Sequence, residues 1–106
     1  MAEPIQLTDG AQLKEKIASG VAVVQFHATW CKDCIYVKPL YRKLVKESKN
    51  SVCIDVDVDK APQLKAEYKV AHVPTFILYH NGVEQQRIVE PKYEQLEDFM
   101  SVAAKL

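Results

Sequence analysis

No apolar run in the chain approaches the roughly 20 residues a membrane-spanning helix needs, so an integral membrane protein is not expected. The opening residues MAEPIQLTDG lack the basic start and long apolar core of a secretory signal, and on that reading the chain is not exported. Neither charge is in excess, because fourteen Lys and Arg offset fourteen Asp and Glu. Without a net field, neither nucleic acid nor an anionic membrane is the expected partner, and recognition has to be local. Cysteine is scarce and odd in number, three in 106 residues, which argues against a fully paired disulfide framework and leaves at least one thiol free or bonded to another molecule. The expected setting is a reducing compartment, most simply the cytoplasm. Apolar residues make up 48% of the chain and charged residues 26%, enough for one compact core over residues 1–106 and too little chain for two.

What the sequence does have is concentrated in ATWCKDCIYVKP, residues 28–39. Cys31 and Cys34 stand three positions apart beside the single tryptophan, Trp30. That spacing closes a small disulfide loop and lets one thiol attack while its neighbour waits to release the product. Thiol–disulfide exchange is therefore the first expectation. If the pair opens a helix, unsatisfied amides and the positive end of the helix dipole favour an ionised sulfur there.

Periodicity supports that placement. Pro4 to Leu7 reads as an edge strand, since proline removes a donor a central strand needs. Thr8 or Asp9 caps a short helix carrying Leu13 and Ile17 on one face and ending at Gly20. VAVVQFH, residues 21–27, reads as a strand covered on both faces, which implies a parallel sheet between helices. Gln25 and His27 share a face of it, as either a structural hydrogen-bonding pair or part of the active site. Val37, Leu40, Tyr41, Leu44 and Ser48 recur at helical spacing after the cysteines, and Pro39 is expected to kink that helix. Val52, Ile54, Val56 and Val58 alternate with Cys53, Asp55 and Asp57, a strand with one apolar face. Pro62 begins a short helix through Tyr68, and Thr75 to Tyr79 is a strand. His80, Asn81 and Gly82 then turn the chain into an antiparallel partner over Val83 to Val89. Pro91 suits the start of a last helix, in which Leu96, Phe99, Met100 and Ala103 share one face.

Two separated motifs, ATWCxxC with Pro39 beyond it and YKVAHVPTF from Tyr68 to Phe76, resemble those of the thioredoxin family, for which CxxC beside a βαβ pattern is a general signature. The resemblance covers nearly the whole chain and implies an α/β thioredoxin fold, a three-layer sandwich with a mixed central sheet. It implies a dithiol–disulfide oxidoreductase acting on protein disulfides. Cys31 matches the exposed nucleophile and Cys34 the buried resolving thiol. Trp30 matches the aromatic flank and Pro74, after Val73, the cis-proline, so Trp30, His72, Val73 and Pro74 are the expected target-binding residues. Electrons are expected from an NADPH-dependent thioredoxin reductase, with no bound organic cofactor or metal.

Three departures tune that expectation. Lys32 and Asp33 replace the usual Gly and Pro between the cysteines, with opposed charges beside Cys31. Gln25 replaces a buried aspartate that helps move a proton from the resolving cysteine; an amide cannot act as that base, so slower resolution is expected unless His27 compensates. Glu90 and Pro91 replace a glycine and a small residue at the groove rim, which narrows the range of partners. If these departures disable turnover, the alternative is a thioredoxin-fold interaction module. The remaining readings are structural: Cys53 as a small core hydrophobe, Tyr36 and Tyr41 as packing residues with polar tips, and Asp55, Asp57 and Asp59 as a strand edge running into a helix cap.

Overall fold

The computed structural model describes residues 3–106; Met1 and Ala2, which open the stretch searched for an export signal, lie outside the described residues. The elements follow in the expected order: β1 (Ile5–Gln6), α1 (Gly10–Ile17), β2 (Val21–His27), α2 (Lys32–Glu47), β3 (Ser51–Asp57), α3 (Pro62–Glu67), β4 (Thr75–His80), β5 (Val83–Val89) and α4 (Tyr93–Ala104). The strands form one mixed sheet in the order β1-β3-β2-β4-β5. β2 is central, parallel to β3 and antiparallel to β4, while β1 is parallel to β3 and β5 antiparallel to β4. Pro4 precedes an edge strand, where its missing amide hydrogen costs the sheet no ladder bond.

Alternation along the central strands divides the core in two. Ala22, Val24 and Phe26 join Ile54, Val56, Ile77 and Tyr79 beneath Leu13 and Ile17 of α1 and Leu64 of α3. On the opposite face Val21, Val23, Cys53, Phe76 and Leu78 pack against Val37, Tyr41 and Val45 of α2 and Leu96, Phe99 and Met100 of α4. Burying each Leu, Val or Phe contributes about 1.5–3 kcal/mol, which outweighs the modest intrinsic propensity of helices this short. Helices on both sides of a mixed sheet make the three-layer α/β sandwich.

Local chemistry sets the boundaries. Asp9 Oδ1 accepts the Ala11 amide at 2.8 Å and caps α1. Asn81 and Gly82 both adopt positive φ, 51° and 84°, as a two-residue hairpin turn requires, and the Asn81 carboxamide accepts the Gly20 amide at 2.7 Å. α2 runs through Pro39 from Lys32 to Glu47 and stops with Ser48 as its cap.

Two expectations need correction. α4 begins at Tyr93, two residues beyond Pro91, where the Lys92 amide donates to Gln95 Oε1 at 2.8 Å. The polar side of β3 is not solvated. Asp55 and Asp57 are each only 9% exposed, because β3 lies between β1 and β2 and that face is covered.

Candidate active site

β2 delivers the chain to Ala28, and the tight approach to α2 makes Cys31 the N-cap residue, with extended dihedrals of −80° and 119°. Its sulfur takes the place a serine or aspartate oxygen usually fills, accepting the Cys34 amide at 3.1 Å. The same sulfur lies 3.4 Å from the Val73 carbonyl, to which the thiol donates. The Val73–Pro74 peptide is cis. Two motifs some forty residues apart in sequence thus meet at one sulfur.

The resemblance implies an exposed Cys31, yet it and Cys34 are both 6% exposed. Capping folds the Cys31 sulfur back onto its own helix, and the Val73 segment covers it from the other side. The two thiols differ in what they face. Cys31 borders a groove of about 470 Å³ with Trp30, Lys32, Asp33, His72, Val73 and Glu90. Cys34 borders a separate cleft of about 410 Å³ with Gln25, His27, Tyr41 and Asp55. The sequence-derived site residues therefore fall into two sets, one in front of the disulfide position and one behind it. Pro74 is buried next to the groove-lining Val73.

On the groove side Trp30 is 67% exposed, and its indole Nε1 donates to Asp59 Oδ2 at 2.7 Å. Asp59 fixes the ring without covering it. Sequence reasoning placed Asp59 in a strand-to-helix connection and missed this role; a carboxylate just past β3, the strand neighbouring β2, was the available signal. Asp57 does cap that connection, its Oδ1 accepting the Asp59 amide at 2.9 Å. Glu90 sits in the left-handed region at φ 48°, and its amide donates to the Pro74 carbonyl at 2.9 Å.

In the rear cleft, burial pushes the Cys34 thiol from its ordinary 9.0 up to about 12, with a hydrogen bond to Cys31 as the next cause. Burial likewise raises the Asp55 carboxyl, opposed by the Gln6 hydrogen bond and by His27, Arg42 and Lys38. Gln25 is 5% exposed and pairs in register with Asp55. Cys53, on the covered face of β3, is pushed up to about 11 by burial and then by Asp55, as suits an inert core thiol.

This arrangement of a capping cysteine, a second thiol behind it and a cis-proline segment across it agrees with the comparisons. Residues 4–102 match the thioredoxin family model. The chain belongs to the thioredoxin family. It is 34% identical over 91 residues to a thioredoxin of Staphylococcus aureus, spanning 83% of this chain and 86% of that one. It is 34% identical over 90 residues to a bifunctional thioredoxin reductase/thioredoxin of Mycobacterium leprae, spanning 83% of this chain and 20% of the relative. A reduced Schistosoma mansoni thioredoxin pre-protein superposes with a TM-score of 0.83 at 32% identity, covering 94% of this chain and 97% of that one. With its Cys31 and Cys34 pair, this member of the family is a thiol–disulfide oxidoreductase of protein disulfides. Among the described residues no helix is long and apolar enough to cross a membrane.

Proposed function

We propose that Cys31 is the attacking sulfur and Cys34 the resolving one in the reduction of protein disulfides. The observation that carries this assignment is the Cys31 sulfur at the start of the 16-residue α2, accepting the Cys34 amide and bordering the groove. The sulfur thus faces a helix amide at the positive end of the α2 dipole, with the groove open in front of it. Cys31 attacks one sulfur of the target disulfide, the second target sulfur leaves as a thiolate, and a mixed disulfide forms. Cys34 then displaces the target from Cys31 and leaves an intramolecular disulfide. The Val73 carbonyl and the exposed face of Trp30 offer an extended target chain a polar and an apolar contact, with His72 and Pro74 flanking them.

The dithiol itself stores the two electrons, so no bound organic cofactor is required. An NADPH-dependent thioredoxin reductase is the electron donor we propose, a reading supported by the Mycobacterium leprae relative whose name joins the two activities. We place the reaction in the cytoplasm, where a reducing supply sustains it. Replacing Cys34 by Ser is expected to trap covalent complexes with target proteins, and Cys31→Ser to abolish disulfide reduction. A fully active Cys31→Ser protein ends this assignment.

A further inference from the structure

The cleft behind Cys34 holds groups that two cysteines alone do not use. Asp55 is 9% exposed and lies on β3 directly beside Gln25 of β2 in the sheet register. Both side chains project to the same face of the sheet, beneath α2, as does His27. Asp55 Oδ2 accepts Gln6 Nε2 at 3.1 Å, whereas Oδ1 has no hydrogen-bond partner among the described residues, nor has His27 Nε2. A buried carboxylate oxygen without a partner is costly and calls for an explanation. Cys34 and Asp55 line the same cleft, which at about 410 Å³ has room for several waters of about 30 Å³ each.

We infer that Asp55 accepts the Cys34 proton through solvent in this cleft during release of the target, so that the base absent from β2 is supplied by the neighbouring strand. The inference rests on the exchange roles assigned to Cys31 and Cys34. In the step, the Cys34 S–H proton passes by way of water to Asp55, and the Cys34 sulfur attacks the Cys31 sulfur of the mixed disulfide. The Cys34–Cys31 bond forms, the Cys31–target bond breaks, and the electron pair leaves with the target sulfur. That thiolate is protonated from solvent, and Asp55 gives up its proton to the same pool.

Burial makes the need plain. A thiol raised to about 12 is ionised in only about one molecule in 100,000 at neutral pH. Burial is the largest cause and persists in the mixed disulfide, although the contributions of a free Cys31 do not. The charged and titratable groups facing Asp55 are His27 from β2, Cys53 on its own strand, and Lys38, Tyr41 and Arg42 from α2. The three basic groups favour its ionised form, the state that accepts a proton.

The test is single-turnover reduction of a chromogenic aryl disulfide by the reduced full chain. Attack by Cys31 releases the first aryl thiolate and resolution by Cys34 the second. Asp55→Asn is expected to leave the first phase unchanged and to slow the second about 100-fold, the lower end of what a positioned base contributes. It also removes from the second phase the part of the pH profile that follows Asp55 deprotonation. The double variant Gln25→Asp with Asp55→Asn, which returns a carboxylate to β2, is expected to restore the second phase. A second phase as fast in Asp55→Asn as in the parent overturns the inference, as does equal slowing of both phases. Failure of the first phase in the parent would instead strike at the exchange roles themselves.

Discussion

Cys34 offers a quantitative check that isolates one thiol. In a Cys31→Ser, Asp55→Asn double variant no faster sulfur competes and no neighbouring carboxylate takes the proton, so the attack of Cys34 on a small disulfide reports its own ionisation and access. Moving a thiol from its ordinary 9.0 to about 12 lowers the thiolate population at neutral pH about 1000-fold. Nucleophilicity rises with basicity along a Brønsted slope of about 0.4–0.5, which returns about 16- to 32-fold. The net expectation is attack about 30- to 60-fold slower than by the same cysteine in the urea-unfolded chain. Replacing Cys31 removes that residue's share of the shift, so these figures are the upper end, and burial, the largest cause, remains. The sign with pH follows directly: the thiolate gains population as pH rises, so the rate climbs about tenfold per pH unit from 7 to 9 without levelling. Stopped-flow absorbance on folded and unfolded protein measures both quantities. Equal rates in the two states, or a plateau below pH 9, would refute the reasoning that burial holds Cys34 protonated.

Asp55 carries a stability signature as well as a kinetic one. Its carboxyl is raised in the fold above its ordinary 3.8, so the folded state keeps the proton longer than the unfolded chain does. The associated stability is full below the unfolded value and is lost as pH rises through the folded value. Asp55→Asn is therefore expected to gain stability at neutral pH and to lack that decline, read from urea unfolding at several pH values. At the groove rim, Glu90 holds φ 48°. Glu90→Gly should keep or slightly improve stability, whereas Glu90→Val should lose about 1–2 kcal/mol in the same assay, since a β-branched side chain fits the left-handed region worst.

The fold was legible because its signals are local and repeated. Leu96, Phe99, Met100 and Ala103 sit at helical spacing and all four are buried; Asn81 and Gly82 supply a tight hairpin turn, both at positive φ. The two cysteines and the Val73–Pro74 pair could be read for the same reason, as short motifs that need no knowledge of distant contacts. Asp55 and Asp59 could not. In sequence they are members of one alternating acidic series, and nothing in the period of two separates a solvated side from a covered one. That distinction depends on α2 lying across β3, a non-local fact. Likewise the capping of α2 by the Cys31 sulfur, which turns an expected exposed thiol into one 6% exposed, depends on backbone dihedrals that composition does not encode.

The position of Asp55 also changes what the glutamine on β2 means. Read along one strand, Gln25 is a lost base. Read across the sheet, adjacent parallel strands about 4.8 Å apart put side chains of paired residues within reach of the same cavity, so either strand can deliver a carboxylate to it. The constraint then falls on the cleft: one buried carboxylate must reach solvent that also reaches Cys34. Two carboxylates in paired positions would repel, and one would hold its proton as the other ionised. A chain with aspartate at both positions is thus worse placed than a chain with one, and an amide beside Asp55 is the compatible neighbour, uncharged and able to hydrogen-bond. The amide at position 25 and the carboxylate at position 55 thus act as a pair across the sheet, and replacing either alone disturbs it.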